Sequence, residues 1–224
     1  MYQGSSVAVV VPAYNEEEFV GDVIDAMPEF VDRVYAVDDC STDGTWAEIR
    51  DHGHRVGTEA TTETDGGRRV PAVVPIRHET NRGVGGAIKP GYRRAVVDDM
   101  DVTAVVSGDG QMDPALLERF VDPIVSGDAD FTKGNRLRSR DHRAQMSGWR
   151  LFGNTPVSFL TKVASGYWRM MDPQNGYTAI SLAALETIDV DRLYDRYGFI
   201  NDLLVELNTH GLRLADVPME AVYG

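Results

Sequence analysis

Lysine is nearly missing from this 224-residue chain: Lys89, Lys133 and Lys162 are the only three, so arginine supplies 19 of the 22 basic residues. Thirty-five acidic residues leave a formal net charge of −13, which argues against broad nucleic-acid binding through a basic surface. Cysteine is scarcer still. The single Cys40 can neither form an intramolecular disulfide nor build a thiolate metal cage, which suits a reducing cytosol. No run of about 18 uncharged apolar residues occurs. The opening MYQGSSVAVVVPAYNEE has no basic segment before its short apolar run, so neither a signal peptide nor a spanning helix is expected. The histidines show no H-x-x-x-H or H-E-x-x-H spacing, which argues against a zinc site. The acidic, lysine-poor balance fits either ordinary solubility or a halophilic protein, for which screening over about 3 Å at 1 M salt removes most self-repulsion.

What is present is an alternation of strand-like and helix-like segments. VAVVV (7–11) is a continuous apolar run ended by Pro12, the mark of a strand buried on both faces. Phe19, Val20, Val23, Ile24 and Met27 then recur at helical spacing behind Glu16, Glu17 and Glu18, whose charges favour a helix N-terminus. RVYAV (33–37) and a helix over 45–52 repeat the unit, as do AVVPI (72–76) and a helical pattern over 84–99, where Pro90 should kink the helix or mark its true start. VTAVVS (102–107) precedes a helix beginning at Pro114. Such alternation predicts an α/β fold with a mainly parallel central sheet and helices on both faces.

Two stretches break the pattern. GTEATTETDGGRR (57–69) is polar and aperiodic and is expected to be a surface insertion. Residues 147–170 carry Trp149, Phe152, Phe159, Tyr167 and Trp168 at helical spacing, flanked by Arg150, Lys162 and Arg169. They form either core or an amphipathic face for a membrane or lipid acceptor. No repeat or long linker divides the chain, so residues 1–224 are expected to be one domain, with a nucleotide-binding half over about 1–113 and an acceptor half over about 114–224.

Polar residues gather where the strands end. The first strand runs into PAYNE (12–16), the second into DDCSTDG (38–44) and the fourth into SGDGQMD (107–113). Ligands in open parallel sheets bind at the carboxyl ends of strands, and neighbouring carboxylates call for a cation or ligand donors. Each loop also reads as turn chemistry: Asp43-Gly44-Thr45 suits a turn and cap, and Asp113 suits a cap for the helix at Pro114.

The segments VVVPAYNEE, AVDDCSTDGT, NRGVGGAIKPGYRRA, SGDGQMDP, FTKGNRL, DPQNGYTAI and GLRLADVPM, in this order, resemble the family-2 inverting glycosyltransferases of the GT-A fold. Within that family the chain is most similar to polyprenyl- and dolichyl-phosphate mannose or glucose synthases. The resemblance spans essentially the whole chain. It implies that Pro12, Tyr14 and Glu16 line a nucleotide pocket, and that Asp38 or Asp39 accepts a hydrogen bond from the base or ribose. Lys89 falls with the nucleotide-sugar contacts. The family's D-x-D motif, which chelates Mg2+ or Mn2+ on the donor diphosphate, maps to Ser107 and Asp109. Its first carboxylate is therefore absent, and Gln111 stands as a further metal ligand. Asp109 is the lone carboxylate of its motif, so its cation is expected to bind mainly together with the diphosphate.

By the same resemblance Arg136, with Arg150 and Gln174, would hold the acceptor, and Asp172 would contact donor hydroxyls or act as base. Arg138, Arg140 and Arg143 read equally as a solvated loop, and Asp172-Pro173 as a tight turn. The implied activity is transfer of a hexose, from a donor of the GDP-mannose or UDP-glucose type, to a polyprenyl or dolichyl phosphate. The place would be the cytosolic face of the cell membrane, with peripheral membrane contact and no nucleic acid. Transfer to a sugar hydroxyl is the alternative enzyme reading. A nucleotide-binding scaffold without turnover is the non-enzymatic one, and Ser107 is its support.

Overall fold

The computed structural model describes residues 1–55, 64–65, 68–135 and 175–219. Strand β1 (Val7–Ala13) organises it, and its residues divide by parity. Val7, Val9, Val11 and Ala13 belong to one hydrophobic cluster, and Ala8 and Val10 to another. A strand with both faces covered needs apolar residues at every position, and the VAVVV run meets that need. Around β1 lies a seven-stranded sheet. Its other members are β2 (Arg33–Asp38), β5 (Ala72–Arg77), β6 (Val102–Val105), β7 (Phe131–Asn135), β8 (Thr178–Ser181) and β9 (Leu214–Pro218), in the order β5-β2-β1-β6-β8-β7-β9. All run parallel except β8, which is antiparallel to both β6 and β7. The mainly parallel sheet expected from the alternation is present, with one reversed strand that the alternation did not announce.

Helices cover both faces, as expected. Val20, Val23 and Ile24 of α1 (Val20–Asp25), Ile49 of α2 (Thr45–Arg55) and Leu117, Phe120, Val121 and Ile124 of α4 (Leu117–Val125) pack into the first cluster. Ala87, Ile88, Tyr92 and Ala95 of α3 (Val84–Val97) close the second, with Leu185 of α5 (Leu182–Thr187) and Leu203, Leu204 and Leu207 of α6 (Phe199–Thr209). The helix α3 passes through Pro90 instead of starting or breaking there. Packing outweighs the lost hydrogen bond: Gly91 lies so close to β1 that a Cβ there would come within 2.5 Å of both methyls of Val10.

Short pieces complete the frame. Asp113 caps a 3-10 turn over Pro114–Leu116, its carboxylate accepting from the Ala115 amide at 2.9 Å, as its position before Pro114 predicts. Within the stretch read as an insertion, β3 (Thr64–Asp65) and β4 (Arg68–Arg69) pair antiparallel. The aromatic stretch over 147–170 lies outside the described residues. Among the described residues, no helix is long and apolar enough to cross a membrane.

The strand order reverses at β1: the chain moves to β2 and β5 on one side and to β6 on the other. A crevice opens outside the carboxyl ends of strands at such a reversal. Because β8 runs the opposite way, its amino end joins the same edge.

Candidate functional site

A cleft of about 720 Å³ occupies that crevice. One wall comes from the end of β1 (Pro12, Ala13) and the loop after it (Tyr14, Glu16), the residue after β2 (Asp39) and the loop after β6 (Ser107, Asp109). The opposite wall comes from Gly83, Val84 and Ala87 at the start of α3 and from the 196–201 segment entering α6, with Gly176 from the approach to β8. Three polar loops distant in sequence thus meet at one sheet edge.

Short side chains knit the first two loops together. Asn15 sits at φ 58°, a left-handed conformation that Asn tolerates, and its side-chain oxygen accepts from the Thr42 amide at 2.9 Å. In return the Asn15 amide donates to Ser41 Oγ at 3.0 Å, and the Glu16 amide to Thr45 Oγ1 at 2.7 Å. Asp43 accepts from the Thr45 amide at 3.0 Å and its hydroxyl at 2.6 Å, the turn-and-cap arrangement its sequence suggests. Burial works to raise the Asp43 pKa, but these bonds and one from the Glu17 amide outweigh it and hold the carboxyl below its usual range.

The Asp109 loop is anchored on β1, with the Gly108 amide donating to Pro12 O at 3.1 Å. Gly110 turns at φ 71°, and the Gln111 amide donates to Asp109 Oδ1 at 3.0 Å. Asp109 is half-buried and lines the cleft. On the same wall, Glu16 titrates above its ordinary value, first because burial disfavours its charge and then because the charges of Asp109 and Asp43 repel it. Negative charge is therefore crowded here, and a hard cation would relieve it. Among the described residues, no group of three or more His, Cys, Asp or Glu side chains could hold a metal unaided. The donor set, one motif carboxylate with Glu16 and the Ser107 hydroxyl nearby, suits an oxygen-seeking ion that takes its remaining ligands from a phosphate or water.

The sequence-predicted residues separate into three groups. Pro12, Tyr14, Glu16, Asp39, Ser107 and Asp109 come together in the cleft. Tyr14 is 46% exposed, so its ring is available to a ligand. Asp38, Lys89 and Gln111 do not line the cleft. Asp38 is fully buried; its Oδ1 accepts from the Ser41 amide at 2.9 Å, and its Oδ2 lies 3.1 Å from Arg77 Nε, an ion pair too misaligned for a hydrogen bond. Lys89, also buried, donates to the Leu193 carbonyl and to Asp195 Oδ1 at 2.6 Å. It ties α3 to the 190–195 segment. Gln111 is exposed, and its backbone, not its side chain, contacts Asp109. Arg136, Arg150, Asp172 and Gln174 lie outside the described residues.

Asp39 differs from what the resemblance implied in one respect. Its carboxylate is already engaged by the chain, accepting from His78 Nδ1 at 2.7 Å, the Arg82 amide at 2.9 Å and the Gly83 amide at 2.7 Å. It therefore fixes the opposite wall as well as facing the cleft. That wall, Arg196, Tyr197, Phe199, Ile200 and Asn201, was not anticipated from the sequence. The available signal was RYGFIN, a cationic and aromatic entry to a helical pattern.

Comparison with known proteins agrees with this geometry. The glycosyl transferase family 2 profile matches residues 8–189. A UDP-N-acetylglucosamine–dolichyl-phosphate N-acetylglucosaminyltransferase of Methanococcus voltae is 26% identical over 97% of this chain and 86% of its own. An undecaprenyl-phosphate mannosyltransferase of Micrococcus luteus is 29% identical over 96% of this chain and 83% of its own. Among solved structures, glucosyl-3-phosphoglycerate synthase of Mycobacterium tuberculosis, in complex with Mn2+, uridine diphosphate and glucosyl-3-phosphoglycerate, superposes with a TM-score of 0.66. The match covers 97% of this chain and 71% of that one at 20% identity, a likeness that bears on the fold alone. With the profile covering most of the chain and a GT-A-like sheet carrying the family's loops to one edge, the protein belongs to glycosyl transferase family 2 and is a glycosyltransferase.

Proposed function

We propose that the protein transfers a hexose from a nucleotide diphosphate sugar, of the GDP-mannose or UDP-glucose type, to a polyprenyl or dolichyl phosphate with inversion. The acceptor rests on one observation: the match over nearly the whole chain to two relatives named for transfer to lipid phosphates. Placement in the sheet supports the donor half. Tyr14 offers an exposed ring for the base, and Asp39 holds the Arg82–Gly83 backbone that forms the facing wall. The nucleotide-binding half is then about 1–113, and the acceptor half about 114–224.

Asp109 would hold a divalent cation, Mg2+ or Mn2+, jointly with the donor diphosphate, with Glu16 and Ser107 at the same end of the cleft. When bound, the ion neutralises charge on the leaving nucleoside diphosphate. The protein's own work is orientation. Knitted loops hold Tyr14 and Glu16, and the anchored β6 loop holds Asp109, so little ordering remains when substrate arrives. A lipid phosphate, with a second pKa near about 6, is already largely ionised at neutral pH and needs no base. It needs cations instead, a task proposed for Arg136 and Arg150, with Gln174 near the acceptor and Asp172 near the donor hydroxyls. Asn135 and Asn175, the described residues that bracket this segment, both stand at the cleft edge of the sheet, which favours that assignment. Action on such an acceptor would place the enzyme at the inner face of the cell membrane.

Labelled GDP-mannose, UDP-glucose and UDP-N-acetylglucosamine, each incubated with the protein, Mn2+ and undecaprenyl phosphate, test the reading. The expected result is a sugar-lipid from one donor, with its anomeric configuration inverted. Failure with every donor, together with transfer to a sugar hydroxyl, would replace the lipid-phosphate reading with the glycan one.

A further inference from the structure

Arg196 is the one cationic residue among the described residues lining the cleft; the other charged residues there, Glu16, Asp39 and Asp109, are all acidic. In so acidic a chain, arginines near carboxylates pair with them. Arg33 and Arg94 share Asp98, Arg93 takes Asp191, Arg77 takes Asp38 and Arg213 takes Asp130. Arg196 is exposed, and no ion pair or hydrogen bond among the described residues engages its guanidinium. Its base, by contrast, is held firmly. The preceding Asp195 is clamped by Lys89 Nζ at 2.6 Å, and its carbonyl accepts from the Gly86 amide at 2.9 Å. The stem of Arg196 lies against Gly83, where φ is +84° and a Cβ would come within 3.1 Å of Arg196 Cγ. Farther along the same wall, the amide oxygen of Asn201 is buried with no hydrogen-bond partner. Buried polar atoms are ordinarily satisfied; this one is an acceptor, so it calls for a hydroxyl or N–H donor of a ligand, a contact separate from any phosphate.

We propose that Arg196 is a phosphate-binding residue of the cleft, carried on a segment that the buried Lys89 pins to α3. Arginine's planar fork matches phosphate oxygens in a bidentate way that a point charge does not. The phosphate belongs either to the donor diphosphate or to the acceptor lipid; the second source rests on the transfer reading above, the first does not.

The test uses Arg196→Gln and Arg196→Lys in the full chain. Calorimetric titration with UDP and with GDP, each with Mn2+, reads the donor source. The KM for undecaprenyl phosphate at saturating nucleotide sugar reads the acceptor source. Loss of one charge-assisted contact predicts a weakening of about ten- to hundredfold in one arm for Arg196→Gln. Arg196→Lys should recover part of it, and the thermal midpoint should stay unchanged because the side chain is exposed. Weakened diphosphate binding assigns the donor phosphate, and a raised lipid KM alone assigns the acceptor phosphate. Unchanged values in both arms, or a loss that accompanies a lowered midpoint in both variants, would overturn the proposal. If the unaltered protein makes no sugar-lipid, the acceptor reading fails on its own, and Arg196 is judged by the diphosphate titration.

Discussion

Replacing Asp109 with asparagine should lower turnover by a factor on the order of 10³ while leaving the fold intact, because it removes the only carboxylate of its motif. Asparagine keeps an oxygen that can accept the Gln111 amide, so the loop geometry survives the change. Asp109 is half-buried and makes no ion pair among the described residues, so its loss leaves no buried charge stranded. It also removes a charge that repels Glu16, which works slightly in favour of the ligand-free fold. The measurement is the initial rate of sugar transfer across a Mn2+ series, paired with a thermal melt. A variant within tenfold of the parent at saturating Mn2+ would show that the cation is held elsewhere.

Phe120→Ala carries the largest expected effect on stability. Phe120 is fully buried on α4 and stacks on Tyr177 with ring centroids 4.0 Å apart and planes 7° from parallel. Truncating such a ring costs about 3–5 kcal/mol, the transfer loss plus the cavity left behind. For a chain of this size the midpoint should fall by on the order of 10 °C. The effect should reach the site, since the Tyr177 hydroxyl donates to Asp113 O at 3.2 Å and Gly176, its neighbour, lines the cleft. A raised donor KM is therefore expected alongside the lower midpoint. Phe120→Leu, which refills most of the volume, should lose far less of both. A calorimetric scan showing a fall of under about 2 °C for the alanine variant would mean that the α4 face collapses around the gap.

Much of this arrangement was legible in the sequence. Continuous apolar runs marked β1, β2, β5 and β6, and the polar residues directly after three of them marked the edge where the cleft lies. Asp113 was legible as a cap because capping is local chemistry, settled within two residues. What could not be read depended on parity or distant contact. Between Asp38 and Asp39 the choice turns on which face of the sheet each side chain meets. Val34 and Ala36 join one cluster while Tyr35 and Val37 join the other. With both faces apolar, no polar alternation reveals that register. Asp38 ends up beneath Arg77, which lies over the Trp46 ring, and Asp39 faces His78 and the cleft.

Lys89 was placed with the nucleotide-sugar contacts by the resemblance alone, and the partners it meets in the fold, Leu193 and Asp195, lie more than a hundred residues away in sequence. The reversed strand β8 and the Arg196–Asn201 wall were hidden likewise. Strand direction is decided by pairing, and the wall is assembled from the entry to a helix that no motif marked.

The central claim is that the cleft binds a nucleoside diphosphate and a cation as a unit, with Asp109 as the motif's one carboxylate. Titrating Mn2+ calorimetrically into the protein, first alone and then with saturating UDP or GDP, tests it most directly. The account predicts weak or undetectable binding of Mn2+ alone, tight binding with one of the diphosphates, and loss of that gain in Asp109→Asn. Equally tight Mn2+ binding with and without diphosphate, unaffected by the substitution, would contradict it.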